Sequence, residues 1–79
     1  MEYDHNKVDE IVLALLTLTM FPDEPVMRAW KGYDWDVMDR LHAKGYISDP
    51  KSKSKSVVLS DEGLRLAKEL FERHFGVKP

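Results

Sequence analysis

The sequence has no cysteine, which excludes disulfide staples and thiolate-held metals. In a chain of 79 residues this absence matters. Domains so short bury a modest share of their surface and often lean on cross-links, metals or a second subunit. Stability is therefore expected from a well-packed core, from a partner copy, or from both. The lack of cysteine also fits a reducing compartment, and a cytoplasmic location is expected. Long apolar runs are missing too. The longest, residues 11–21, is broken by Thr17 and Thr19 and falls short of the roughly 20 residues a bilayer span needs. Met1-Glu2-Tyr3-Asp4 offers no basic region before an apolar stretch, so neither a secretion signal nor a membrane association is expected.

Nor is there a large excess of one charge: the net is −2. With 43% hydrophobic and 33% charged residues the composition is that of a globular domain, and the length allows one, covering residues 1–79. The charge is unevenly placed. Residues 1–36 hold eight acids and three bases, residues 37–60 hold two acids and five bases, and the remainder balances. Any anion-binding surface is therefore expected in the middle segment.

What is present reads as alternating helix and strand signals. Asp4 is placed to cap a helix running to about Met20, on which Val8, Ile11, Val12, Leu15 and Leu18 recur at helical spacing until Pro22. Leu13, Leu16 and Met20 form a second apolar stripe, which predicts either a central helix or one that also meets a second copy of the chain. Asp23-Glu24-Pro25 looks like a helix start, predicting a short helix over residues 25–31 ended by Gly32. Asp34 then caps a third helix to Lys44, with Trp35, Met38 and Leu41 inward and Gly45 closing it. Residues 46–49 and 56–59 read as strands around a Pro-Lys-Ser turn, and Ser60 caps a last helix to about His74, with Gly76 and Pro79 beyond it.

Leu41-x-x-x-Gly45-Tyr46-Ile47, a basic loop, then Val57-x-Leu59-Ser60-x-x-Gly63 resembles the second half of the winged helix-turn-helix in bacterial regulators of the multiple-antibiotic-resistance and phenolic-acid-decarboxylase types. The resemblance implies an α+β winged helix-turn-helix: three helices, a two-stranded β-hairpin wing and a C-terminal helix. The blocks Arg28-Ala29-Trp30-Lys31-Gly32, Asp34-Trp35-Asp36, Lys44-Gly45-Tyr46-Ile47 and Lys55-Ser56-Val57-Val58 also resemble a family of short uncharacterised bacterial proteins, a domain of unknown function. That likeness implies no activity and no site residues.

The candidate surfaces follow from side-chain chemistry. Lys51, Lys53 and Lys55 alternate with serines on the wing and suit phosphates. Arg28 and Lys31 flank the expected turn, and Arg40 lies on the third helix. Against a role in reading bases stand Asp34, Asp36 and Asp39, since phosphates repel carboxylates. Lysines on a wing also serve simply to keep an edge soluble. Trp30, Tyr33 and Trp35 predict aromatic packing around the turn, with Trp30 and Tyr33 as contacts for another protein if exposed. Leu13, Leu16 and Met20 are the alternative contact.

Catalytic inventories come up empty. His5, His42 and His74 have no metal-ligand spacing, no serine sits in a glycine elbow, and no glycine-rich phosphate loop exists. Asp9-Glu10 and Asp61-Glu62 read as helix first-turn acids. The expectation is a non-enzymatic domain without cofactor, metal or evident small-molecule ligand, homodimeric through its first and last helices. It is expected to bind double-stranded DNA as a small regulator; the alternative is a protein-interaction module on the same fold.

Overall fold

Asp4 starts the first helix as its position predicts, accepting the Lys7 backbone N–H at 3.0 Å. The computed structural model describes residues 1–78; Pro79, expected beyond the last helix, lies outside them. Helix α1 spans His5–Leu16, earlier than expected, and a 3-10 turn over Thr17–Thr19 leads into strand β1, Met20–Asp23. Strand β2 follows at Val26–Trp30, helix α2 at Trp35–Ala43, strand β3 at Ser56–Leu59 and helix α3 at Asp61–Phe75. The architecture is α+β, with a three-stranded antiparallel sheet in the order β1-β2-β3.

Residues 25–31 therefore correct the sequence expectation. The helix anticipated there is β2, paired with β1 through Met20↔Ala29 and Phe21↔Arg28, and with β3 through Ala29↔Val57 and Arg28↔Val58. Asp23-Glu24-Pro25 is a hairpin turn, with a cis Glu24–Pro25 peptide. Pairing accounts for the outcome. Alternate residues Met27 and Ala29 reach the core, and the backbone pairs with a strand on either side, contacts that a helix over this segment would forgo. The expected two-stranded wing is likewise different. Residues 46–49 contribute one bridge, Ile47↔Leu59, on the far side of β3, so the sheet is built from three strands rather than a hairpin.

The remaining punctuation matches its reading. Asp34 accepts the Val37 N–H at 3.2 Å, and Ser60 accepts the Gly63 N–H at 3.0 Å. Gly45 takes φ +82°; its N–H donates to His42 O, and that of Tyr46 donates to Leu41 O, which ends α2 in a Schellman motif. Gly63 sits so close to the Tyr46 backbone that a Cβ there would overlap it. Ser60 Oγ also donates to Gly45 O at 2.7 Å, tying the start of α3 to the end of α2.

The helices cover one face of the sheet. Leu13, Ala14 and Leu16 from α1, Val37, Met38 and Leu41 from α2, and Ala67 and Leu70 from α3 are buried with Ala29, Ile47, Val57 and Leu59. The result is a slab of 37 × 35 × 19 Å. Of the two readings of the second α1 stripe, the central helix fits: Leu13 and Leu16, named as an alternative contact, are fully buried in the chain's own core, and Met20 packs against it. Leu18 instead is 67% exposed. The reason is register: Asp9, Leu13 and Leu16 lie at i, i+4 and i+7, one stripe that faces the core. Trp35, expected inward, is 62% exposed, and Val37 takes the inner position.

Candidate interaction surface

Strand alternation divides the sheet into two populations. Met20, Met27, Ala29, Val57 and Leu59 point to the helices. Phe21, Asp23, Val26, Arg28, Trp30, Ser56 and Val58 occupy the other face, as the register requires. A one-sided antiparallel sheet ordinarily turns polar residues to water. Here four of those seven are apolar or aromatic. Trp30 is 52% exposed, and its ring lies 5.0 Å from that of Phe21 across β1 and β2. Arg28 lies along the middle of the face, its Nε 2.9 Å from Asp23 Oδ2 and its guanidinium donating to Ser56 Oγ at 3.1 Å. The expected cluster of Trp30, Tyr33 and Trp35 does not pair ring to ring among the described residues; Trp30 has Phe21 instead, and Tyr33 packs against the core.

The six basic residues singled out as phosphate contacts separate into two groups. Arg28 is engaged with Asp23 and Ser56. Lys31 donates through Nζ to Pro50 O at 2.6 Å and Ser52 O at 2.7 Å, while its backbone N–H donates to Lys55 O. It roots the loop rather than projecting from it. Arg40 binds Asp9 with both Nε and Nη2 at 2.8–3.0 Å. Lys51, Lys53 and Lys55 are exposed and have no ion-pair partner among the described residues.

Asp9 is the feature sequence reasoning misread. It stands a full turn into α1, beyond the reach of a first-turn dipole argument, and is 1% exposed. Lys44 Nζ approaches it at 3.1 Å beside Arg40. Burial alone raises a carboxyl pKa, but hydrogen bonds from Arg40 and Lys44, with their charges, hold Asp9 below its ordinary value. Arg40 is correspondingly raised, chiefly by its hydrogen bond to Asp9. The signal lay in the spacing: Asp9 shares a stripe with Leu13 and Leu16, and Arg40 and Lys44 are four residues apart on one face of α2.

Beside this triad a recess of about 220 Å³ opens between the helices, lined by Asn6, Glu10, Leu41, Lys44 and Leu66 among others. That is below the roughly 300–1,000 Å³ typical of ligand pockets. Its charged wall is already satisfied internally. Among the described residues no three His, Asp or Glu side chains converge to hold a metal, and no helix is long and apolar enough to cross a membrane.

Residues 4–77 match the family described as Domain of unknown function (DUF6429). An uncharacterised protein of Sinorhizobium fredii (strain NBRC 101917 / NGR234), y4hR, is 56% identical over 75 residues, covering 95% of this chain and 97% of that one. No solved structure matches the chain.

Proposed function

The chain belongs to this bacterial family of unknown function, DUF6429, and we propose that it is a non-catalytic protein-interaction domain that docks through the outer face of its sheet. The observation that carries the reading is the exposed Trp30 against a half-buried Phe21, with Val26, Val58 and Arg28 on the same face. Tryptophan and arginine recur among the side chains that dominate protein interfaces, and tryptophan buries a large rigid area at small entropic cost.

DNA binding, the other reading of this sequence, finds less support. The winged-helix resemblance of the sequence is weakened, because β2 occupies the place of the motif's first helix and no two-stranded wing forms among the described residues. Lys31 and Arg40 are spent inside the molecule, Arg28 is paired with Asp23, and Asp34 and Asp36 stand at the start of α2. What favours it is the free lysine loop.

A photocrosslinking residue in place of Trp30, compared with one at the exposed Glu69 on α3, tests the proposal in cells producing the protein. A discrete protein adduct is expected from position 30 and none from position 69. Duplex DNA titrated at low salt should leave fluorescence anisotropy unchanged. Salt-sensitive DNA binding together with no adduct at position 30 overturns the reading.

A further inference from the structure

We infer that the outer sheet face is where two copies of this chain meet, paired so that the acidic hairpin tip of each lies against the lysine loop of the other. The inference rests on that face being a docking surface, and it names the partner.

The argument is one of charge arranged along the strands. Asp23 and Glu24 lie at the β1–β2 turn and mark one end of the face, where Asp23 shares its charge with Arg28 and Glu24 has no ion-pair partner among the described residues. At the opposite end Trp30 pairs with Ser56, so Lys55, Lys53 and Lys51 lie just beyond it in the loop leading into β3. Between these ends lies the apolar row of Phe21, Val26, Trp30 and Val58. Asp49, whose carboxylate accepts the Lys51 N–H and keeps its charge, is the one acid in residues 49–55, which carry a net charge of +2. The lysines therefore keep most of their excess.

A symmetric pair brings identical surfaces together, so the surface must complement itself. A two-fold axis lying in the contact plane, perpendicular to the diagonal that joins the β1–β2 turn to the loop before β3, exchanges those two ends between the copies. Each acidic tip then faces a lysine loop, and the apolar rows coincide. Pairing along the sheet edge is disfavoured instead: β1 has four residues, and Pro22 within it has no N–H to donate.

Sedimentation equilibrium at increasing protein and salt concentration reads the pairing directly. The wild-type chain is expected to dimerise in the micromolar range and to dissociate as salt rises. Trp30→Ser should weaken association by about 30-fold, as removal of a central aromatic anchor does. Phe75→Ser, on the exposed end of α3, should leave it unchanged. The decisive arm uses two charge variants. Lys51→Glu/Lys53→Glu/Lys55→Glu has two acidic ends, and Asp23→Lys/Glu24→Lys has two basic ends. Each alone should be monomeric with unchanged circular dichroism, and an equimolar mixture should form the heterodimer. Recovery on mixing cannot arise from misfolding of either variant.

Dimers that survive in both variants, or that respond to Phe75→Ser and not to Trp30→Ser, overturn the inference. So does a wild-type chain that remains monomeric at millimolar concentration. If position 30 then still crosslinks to a different protein, the docking surface stands and only self-pairing fails. If it crosslinks to nothing, both fail.

Discussion

Arg40 and Arg28 carry the same group, and the fold puts them to opposite uses. Around Arg40, in the seam between α1 and α2, the partner carboxylate of Asp9 is buried and shared with Lys44. Around Arg28, on the outer sheet face, the partner Asp23 has a side chain 61% exposed, and Phe21 and Val58 flank the guanidinium. The difference lies in solvation. A buried carboxylate has no alternative to its cations, whereas a wet one can give its cation up to water or to another molecule. The seam is structure; the sheet face is available.

Substitution of each arginine is the sharpest test of this contrast. Arg40→Met leaves Asp9 buried with Lys44 as its remaining cation and should lower the urea midpoint more than any substitution on the outer sheet face. The loss has a defined pH dependence. Because the Asp9 pKa is depressed in the folded chain, its ionised contacts add stability that is fully present above its ordinary value of 3.8. That stability is lost as pH falls through the folded value. In Arg40→Met the folded value should move upward, so acid unfolding should begin at higher pH.

The neighbouring residues of β3 give an intermediate test, comparing the two faces within one strand. Leu59→Ala, on the helix side, should cost about 2–3 kcal/mol, the lower part of the range for leucine cavities. Val58→Ala, on the open side, should cost less than about 0.5 kcal/mol in the dilute chain. The smallest effect is expected from Arg28→Met, about 0–1 kcal/mol, as for an exposed ion pair. Equal losses from Arg28→Met and Arg40→Met would erase the distinction drawn here.

Local chemistry was the legible part of this sequence. Asp4, Asp34 and Ser60 cap the helices they were expected to cap, Gly45 adopts the left-handed conformation, and Ser56–Leu59 is the strand its pattern predicts. Each of these depends on side chains within a few residues. The stretch from Met20 to Trp30 was misread because its evidence is equivocal at short range. Acids followed by proline mark a helix start and a hairpin turn alike, and a five-residue segment with four apolar members fits either period. Only pairing with β3, nearly thirty residues away, resolves it. The lysine loop was found as a basic segment, yet nothing local showed that Lys31 would root it. The Phe21–Trp30 pair depends on the strand register and was invisible for the same reason.

The 19 Å thickness of the slab has a mechanical consequence. A helix with its side chains is about 10 Å across, and a sheet packs about 10 Å from its neighbour, so one layer of each fills the molecule. A single plane of contacts joins them, and no inner tier lies behind it to hold shape when part of that plane opens. Slow hydrogen exchange should accordingly be shared by the amides of α1, β2 and α3 with one common opening free energy, rather than graded from rim to centre.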